Sequence, residues 1–371
     1  MSISELQLLE ELVNIDSGTG DQAGIAKVAG TVRRELEPLG FRFEERHAGD
    51  GSVHYYAARG RGERILLAAH LDTVFPQGTA TARPFTIKGE RAYGPGVSDC
   101  KSGVVTILGA LKQLGMESPS QCEIGCFFNS DEEISSPGSR EILAQLAPGT
   151  RFALVVEPAE GESITIGRKG IGRMELRVFG KAAHSGSNFQ DGANAVLELA
   201  YKIIELQKLI DLEAGITLNA GVISGGIRPN IIPDYAATEI DLRICRPEQE
   251  EPLLESLRRI AFHCTVPGTT ARIDGKITRP PMPVTAANQR LYEALRRISR
   301  IQGFDLDAVQ SGGGSDANLL AALGVATVDG VGPIGGGHHS DTEYLELPSL
   351  KRRIELLAAF LRESPGIRLT E

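Results

Sequence analysis

Residues 65–72 read ILLAAHLD, an apolar run that ends in a histidine and an aspartate. An apolar run of this length predicts a buried β-strand, and side chains two positions apart on a strand point to the same face. His70 and Asp72 therefore face the same side at the end of the predicted strand. Asp72 is placed to orient the His70 ring through its second nitrogen, a common supporting role beside a metal-bound histidine.

Further apolar strands and helices surround this one. The runs at 53–58, 122–129 and 152–156 predict strands, and the stretches at 24–39 and 103–114 predict helices among them. Strands that alternate with helices indicate a mostly parallel sheet that is covered by helices on both faces. The sequence therefore predicts an α/β fold, in which the strand ends present polar ligands at one edge of the sheet.

The pattern changes after residue 163, where a strand with polar alternation replaces the buried runs. The predicted elements that follow are a helix at 193–209, strands at 216–224 and 236–243, a helix at 248–264 and a strand at 271–278. Together with the first strand, this β-α-β-β-α-β order is that of a ferredoxin-like unit. A chain of 371 residues is long enough to split into two domains. We therefore expect a discontinuous first domain of residues 1–166 and 279–371, interrupted by an inserted domain of residues 167–278.

Composition excludes several classes of protein. The net charge is −9 and the basic residues are dispersed along the chain, which argues against a nucleic acid as the partner. The apolar runs stay far short of the ~20 residues of a membrane-spanning helix, and the N-terminal sequence carries no export signal. Five cysteines, an odd number without framework spacing, favour a reducing compartment. We therefore expect a cytoplasmic protein with neither a nucleic-acid nor a membrane partner.

Four more segments carry carboxylates or histidines where predicted strands or glycine-rich turns end. They are GPGVSDCKSG with Asp99, FFNSDEE with residues 131–133, ALVVE with Glu157, and GGGHHSDTEY with His338 and His339. Taken singly, each has an ordinary explanation, such as a helix N-cap or a surface histidine. Counted together with the strand end at residue 70, five segments each offer a ligand. Carboxylates mixed with imidazoles suit zinc, or cobalt or manganese in its place, and a shared carboxylate holds two such ions ~3.5–4 Å apart.

The chain resembles the M20 metallopeptidases, and within them the bacterial glutamate carboxypeptidases of the carboxypeptidase G type. The resemblance rests on AAHLDTV, GPGVSDCKSG, FFNSDEEISSPGSRE, VVEPAE, GKAAHSG, PNIIPD, DLRI, GGGSDANLLAALG and GGHHSDTEYLEL, in the order of the family. It implies a zinc-peptidase-like catalytic domain and an inserted dimerisation or lid domain. It also implies a hydrolase that cleaves an amide or peptide bond next to a free carboxylate, releasing a C-terminal amino acid with glutamate favoured.

The resemblance also implies the metal ligands. Asp99 would bridge two zinc ions, with His70 and Glu157 completing one site and Glu133 and His339 completing the other. His339 rather than its neighbour is the implied ligand because the family pattern places the ligand immediately before Ser-Asp, which follows residue 339 here.

Two further catalytic roles follow from the resemblance. Glu132 would be the general base, and His184, in the GKAAHSG segment, would donate a hydrogen bond to the developing oxyanion from the partner subunit of a homodimer. The alternating residues 173–179 predict a strand, and we expect this strand to pair edge to edge with a second copy of the chain.

Substrate recognition is implied for three residues. Arg243 in DLRI and Arg279 in ITRPP match positions that glutamate-specific relatives use to hold substrate carboxylates, and Asn230 in PNIIP is placed to hydrogen-bond the same end of the substrate. Arginine suits this task because its planar guanidinium makes two parallel hydrogen bonds to a carboxylate.

Three other functions compete with this interpretation. An M20 deacylase of N-acyl amino acids, or a dipeptidase, would use the same metal ligands, and the metal motif does not separate them. A metal-containing binding protein without activity is disfavoured because every ligand position and Glu132 are present. A nucleotide-dependent enzyme is disfavoured as well, because no lysine follows the glycine-rich run at 311–315 as a P-loop requires.

Overall fold

The structure is a computed structural model that describes residues 3–116 and 122–369. Its α-helices in those ranges are α1 (Ile3–Val13), α2 (Gln22–Leu36), α3 (Thr79–Ala82), α4 (Lys101–Leu114), α5 (Ser139–Leu146), α6 (Ala195–Gln207), α7 (Glu250–Phe262), α8 (Ala286–Ile301), α9 (Asp316–Ala322) and α10 (Leu347–Glu363). Its β-strands are β1 (Arg42–His47), β2 (Val53–Gly60), β3 (Glu63–His70), β4 (Thr86–Lys88), β5 (Arg91–Tyr93), β6 (Cys122–Asn129), β7 (Thr150–Val155), β8 (Ser163–Arg168), β9 (Gly170–Phe179), β10 (Ala183–His184), β11 (Thr217–Gly225), β12 (Ile231–Ile232), β13 (Tyr235–Ile244), β14 (Thr270–Arg279), β15 (Asp307–Ser311), β16 (Ala326–Val328), β17 (Gly335–Gly336) and β18 (Tyr344–Glu346).

The chain forms two compact units. The first contains Met1–Gly167, Val284–Ser311 and Ser315–Glu371, and the second contains Arg168–Pro283 and Gly312–Gly314. The functional domains expected from the sequence, with their boundaries after residues 166 and 278, stay a prediction. Within the described ranges, none of the helices combines the length and the apolar character that a membrane crossing requires.

The first unit is built on a six-stranded sheet in the order β1-β2-β6-β3-β7-β16. Strand β3 pairs in parallel with β6 and with β7, and β16 continues the parallel part beyond β7. The last six residues of β3 are all buried, which explains why its sequence is a continuous apolar run rather than an alternating one. The predicted α/β fold with a mostly parallel central sheet is confirmed.

The register of the parallel strands brings their carboxyl ends to one edge of this sheet. His70 at the end of β3 lies opposite Asn129 at the end of β6, and Ala68 lies opposite Val155 at the end of β7. The segments that follow β6 and β7 therefore leave the sheet beside His70. These segments carry the acidic residues that the sequence singled out.

The second unit is an antiparallel four-stranded sheet in the order β11-β13-β9-β14. Apolar side chains of α6 and α7 pack with those of the strands in one cluster, in which Leu176, Leu199, Leu242 and Leu257 are buried. The β-α-β-β-α-β order and this strand order confirm the predicted ferredoxin-like unit.

The expectation for residues 173–179 was wrong. These residues belong to β9, which lies between β13 and β14 and has both of its edges occupied. A strand alternates wherever a sheet is covered on one face only, so the alternation identified the half-buried sheet but not the position of the strand within it. The edge strands of this sheet are β11 and β14.

Candidate metal centre

The imidazole of His70 points at two carboxylates. It is buried at the end of β3, and its Nε2 lies 2.9 Å from Asp99 Oδ1 and 3.8 Å from Glu157 Oε2. Its other nitrogen, Nδ1, lies 2.9 Å from the main-chain oxygen of Asp72 and 3.4 Å from Oδ1 of the same residue. Asp72 thus fixes the ring orientation through Nδ1, mainly by its main-chain oxygen, while Nε2 faces Asp99 and Glu157.

The second oxygen of Asp99 faces a second histidine. His339 Nε2 lies 3.3 Å from Asp99 Oδ2 and 3.1 Å from Glu133 Oε2. The neighbouring His338 is directed elsewhere, with its Nε2 3.1 Å from the hydroxyl of Ser98. Ligand atoms of His70, Asp99 and Glu133 all lie within 4.8 Å of one another. One carboxylate is therefore shared between two imidazoles that come from opposite ends of the chain.

The charges of this cluster are strongly coupled. Burial opposes ionisation of Asp99, yet hydrogen bonds with His339 and His70 hold its pKa well below the usual range. Hydrogen bonds to Asp99 and Glu133 raise the pKa of His339 to about 10. Burial acts against protonation of His70, but the Glu157 carboxylate and other neighbours raise its pKa well above the usual value. A site this anionic favours cations, whether they are protons on imidazoles or divalent metal ions.

The three consecutive acidic residues after β6 have separate contacts. The buried Asp131 carboxylate accepts hydrogen bonds from the Gly138 amide (2.6 Å) and the Ser139 hydroxyl (2.6 Å) at the start of α5, and its Oδ1 lies 4.0 Å from Nδ1 of a third histidine, His54. Glu132 and Glu133 lie in a 3₁₀ turn, Glu132–Ile134. The resemblance assigned different roles to Glu132 and Glu133, but the sequence did not reveal that Asp131 binds the start of α5.

Asp72 ties this turn to β3. Its Oδ1 accepts the amide of Glu132 and its Oδ2 the amide of Glu133, both at 3.3 Å. Oδ2 also accepts the hydroxyl of Thr19 at 2.7 Å. The carboxylate predicted to orient His70 thus also fixes the main chain that carries Glu132 and Glu133. Thr19 was missed because nothing in the local sequence links it to Asp72.

Glu343 is a second residue that the sequence did not reveal. Its side chain is buried, and burial raises the pKa of this carboxyl to about 7 although amide hydrogen bonds act in the opposite direction. Glu343 lies four residues after the ligand candidate His339, in the same loop. Its carboxylate accepts a hydrogen bond from the amide of Asp99 at 3.0 Å. A glutamate between a threonine and a tyrosine near the end of a chain reads as an ordinary surface residue, so its position is evident only from the fold.

The predicted catalytic residue His184 and the predicted substrate-binding residue Asn230 lie side by side in the second unit. The exposed His184 and its neighbour Ala183 pair with Ile231 and Ile232, directly after Asn230, and the Asn230 carbonyl accepts the amide of Ser185 at 3.1 Å. The amides of the next two residues after Ser185 both approach His184 Nδ1, at 3.1 and 3.2 Å. Because Nδ1 accepts, the neutral ring carries its proton on Nε2, where it is available as a donor.

The two predicted substrate-binding arginines also lie together in the second unit. Arg243 and Arg279 stand on the two strands that flank β9, each opposite Ile171. The guanidinium of Arg243 binds Asp241 through Nε (2.7 Å) and Nη2 (3.0 Å), and its Nη1 donates to the Gly312 carbonyl at 3.1 Å. Arg279 is 2% exposed. Their predicted role in holding substrate carboxylates stays a prediction, and Arg243 already makes three hydrogen bonds to two partners.

Comparison with known proteins gives a single family. The sequence profile of peptidase family M20/M25/M40 matches residues 66–363. Carboxypeptidase G2 of Pseudomonas sp. (strain RS-16) is 30% identical over 96% of this chain and 88% of the relative. The N-acetyl-L-citrulline deacetylase of Xanthomonas campestris pv. campestris is 28% identical over 95% of this chain and 96% of the relative.

The fold also matches solved structures. The YXEP protein of Bacillus subtilis, a dinuclear metal binding peptidase of the M20 family, superposes with a TM-score of 0.72 at 17% identity and covers 98% of both chains. The profile match spans most of the chain, and it confirms both the resemblance found in the motifs and the class of enzyme expected from it. The chain therefore belongs to peptidase family M20/M25/M40, the metallopeptidases and related amidohydrolases.

Proposed function

We propose that this protein is a two-metal amidohydrolase that cleaves an amide or peptide bond next to a free carboxylate, with glutamate as the favoured leaving amino acid. The observation that carries the proposal is the shared carboxylate of Asp99, whose two oxygens face the Nε2 atoms of His70 and His339 at 2.9 and 3.3 Å. A carboxylate in this arrangement suits two adjacent cations, as co-catalytic hydrolytic sites require.

The donor set fits such a pair of ions. Asp99 would bridge them, His70 and Glu157 would complete one site, and Glu133 and His339 would complete the other. Imidazole and carboxylate donors favour zinc, with cobalt and manganese as substitutes, over the all-oxygen sites of calcium and magnesium. When bound, such ions acidify a water molecule and polarise the scissile carbonyl.

The protein supplies the proton transfers and the hydrogen bonds. Glu132, in the turn held by Asp72, takes a proton from the attacking water and returns it to the leaving amine. His184 donates a hydrogen bond from its Nε2–H group to the oxyanion that develops on the carbonyl. The hydrogen bonds that occupy His184 Nδ1 support this role, because they leave the proton on the nitrogen that would face the substrate.

Recognition of the free carboxylate is assigned to Arg279, assisted by Arg243 and Asn230. Arg243 and Arg279 lie opposite the same residue of β9, Ile171, so their side chains come from the two strands that flank β9 in one sheet. Arg243 also binds Asp241 through two of its nitrogens and the Gly312 carbonyl through the third, which holds the glycine loop against the sheet.

A substrate panel tests this assignment. We expect N-acyl-glutamate to be hydrolysed faster than N-acyl-arginine or simple dipeptides, and Arg279→Gln to lower kcat/KM for N-acyl-glutamate by ~10–100-fold, since a hydrogen bond to a charged group contributes ~1.5–3 kcal/mol. Arg272→Gln, on the exposed part of the same strand, is the control and should leave kcat/KM unchanged. A preference for N-acyl-arginine, or an unaffected Arg279→Gln enzyme, would contradict the assignment.

The same panel separates the second candidate function. The similarity to an N-acetyl-L-citrulline deacetylase favours an N-acyl-amino-acid deacylase of other specificity. That enzyme would cleave small acyl groups from several amino acids without requiring glutamate. A metal-containing binding protein would instead hold its ions and hydrolyse none of the panel.

We also propose that the protein is a homodimer formed through β11. This strand is at the edge of its sheet, and it exposes Val222 and Ile223 by 55% and 62%. The adjacent helix α6 exposes Tyr201 and Ile204 by 42% and 57%. An unpaired strand edge beside exposed apolar side chains is a surface that commonly pairs with another chain.

Ile223→Glu tests the dimer. A buried charge at the strand edge should shift the protein from dimer to monomer in sedimentation experiments, and activity should fall with the dimer if His184 acts across the interface. Leu212→Glu, at a loop residue that is 77% exposed, is the control and should leave the dimer intact. A fully active monomer would refute the action of His184 on the partner subunit.

Two further proposals concern location and domain organisation. All five cysteines are free, which supports the reducing environment of the cytoplasm.

The functional domains are proposed to be residues 1–166 with 279–371, which carry the metal ligands, and residues 167–278, which carry His184 and most of the recognition groups.

A further inference from the structure

One buried carboxylate organises the turn that carries Asp99. Glu343 is 1% exposed, and its two oxygens accept three main-chain amides of that turn. Oε1 accepts the amides of Ser98 (2.9 Å) and Asp99 (3.0 Å), and Oε2 accepts the amide of Gly96 (2.9 Å). Three amides from four consecutive residues thus converge on a single side chain that lies more than 240 positions away in the sequence.

A second contact joins the same two segments. The hydroxyl of Ser98 lies 3.1 Å from Nε2 of His338, the residue before His339. His338 precedes His339 in the loop and Glu343 follows it, and both side chains contact the turn that ends in Asp99. The loop of one ligand candidate and the turn of another are tied together at two points.

An ionised carboxylate is the side chain best suited to this position. In that form it offers two acceptor oxygens and no donor, whereas the amide of glutamine offers one acceptor oxygen and an NH₂ group that only donates. Whichever way a glutamine at 343 turned, an NH₂ group would face at least one of the three buried amides. A buried amide left without an acceptor is destabilising, so the turn would shift to find another partner.

We infer that Glu343 is a positioning residue of the metal centre, which holds Asp99 between His70 and His339 before any ion binds. It acts through the main chain of the turn rather than through contact with the ions. The inference rests on the proposal that Asp99 binds metal, and it assigns to Glu343 a role that differs from simply filling the core. A core role predicts loss of stability alone, whereas a positioning role predicts weaker metal binding by protein that is fully folded.

The test compares metal affinity in Glu343→Gln with that in Glu346→Gln. Glu346 lies three residues further on and pairs with Arg91 at the surface, so its variant is the matched control. Affinity is measured by competition with a chromogenic zinc chelator, at a temperature at which circular dichroism shows each variant to be folded. We expect Glu343→Gln to bind zinc ~10–100-fold more weakly, the usual effect of removing an outer partner of a metal ligand.

The outcomes separate the two proposals. Excess zinc should restore turnover to Glu343→Gln, because the ligands themselves are intact. Wild-type zinc affinity in folded Glu343→Gln would overturn the inference and leave the proposed function standing. A wild-type protein that binds no zinc, cobalt or manganese would overturn the proposed function first.

A measurement on the wild type covers the case in which Glu343→Gln does not fold. In metal-free protein, we expect the amides of Gly96, Ser98 and Asp99 to exchange with solvent slowly, like amides of the core strands, because Glu343 already holds them. Exchange as fast as that of surface loops in metal-free protein, with protection gained only when zinc is added, would show that the ion orders the turn and would overturn the inference.

Discussion

Glu132→Gln is expected to lower kcat by ~10²–10⁴-fold on every substrate that the wild type hydrolyses, which is the usual contribution of a positioned general base. Glutamine has nearly the same size but does not accept a proton at neutral pH. The main chain at this position should stay in place, because Asp72 accepts the residue 132 amide whatever the side chain is. Steady-state rates and metal content measured on the same preparations provide the test.

The matched control for this prediction is Glu141→Gln, an exposed glutamate in α5 that should leave kcat unchanged. Metal content should equal that of the wild type in both variants, since neither residue is a proposed ligand. A Glu132→Gln enzyme with undiminished kcat and full metal content would remove Glu132 from the mechanism. Loss of metal in that variant would instead point to a structural role for the turn.

Asp99→Asn is expected to have the broader effect, with turnover reduced to background and at most one ion retained per chain. The carboxamide offers one oxygen, and its NH₂ group does not bind a cation, so it does not supply a ligand to two ions at once. Elemental analysis of the purified proteins measures the metal content, and we expect two ions per chain in the wild type. Dialysis of the wild type against a chelator should abolish its activity, and zinc should restore it.

Asp305→Asn is the control for this variant, because Asp305 is a surface carboxylate that pairs with Arg296 and Arg300. It should retain both ions and full activity. Two ions bound to Asp99→Asn with wild-type affinity would exclude Asp99 as the shared ligand. One ion per chain in the wild type would exclude the two-metal proposal altogether.

The sequence predicted the fold because its strongest signals are local. The run at 65–69 is apolar throughout because β3 is buried on both faces, and a strand of that kind indicates the middle of a parallel sheet. The acidic and histidine residues were recognisable because they follow such strands, where parallel chains end at one edge. Position along the chain therefore revealed the candidate ligands before any distance was known.

Other features depend on contacts between distant segments, which a local pattern does not encode. The alternation at 173–179 reports a sheet with one covered face, and it is the same for a central strand as for an edge strand. The roles of Thr19 and Glu343 depend on which backbone groups reach their side chains, and the amides bound by Glu343 come from residues 96–99. No spacing in the sequence relates Glu343 to residues 96–99.

The proposed metal ligands and the proposed recognition residues belong to different units of the chain. Every proposed ligand and the proposed base belong to the first unit, and His184, Asn230, Arg243 and Arg279 belong to the second. On the proposed roles, substitutions in the second unit change which molecule is accepted without altering the atoms that hold the ions. The relatives of this chain include proteins named as a carboxypeptidase and as an N-acetyl-L-citrulline deacetylase. If the proposed roles are correct, a change of substrate requires substitutions within residues 168–283, while the metal requirement stays fixed.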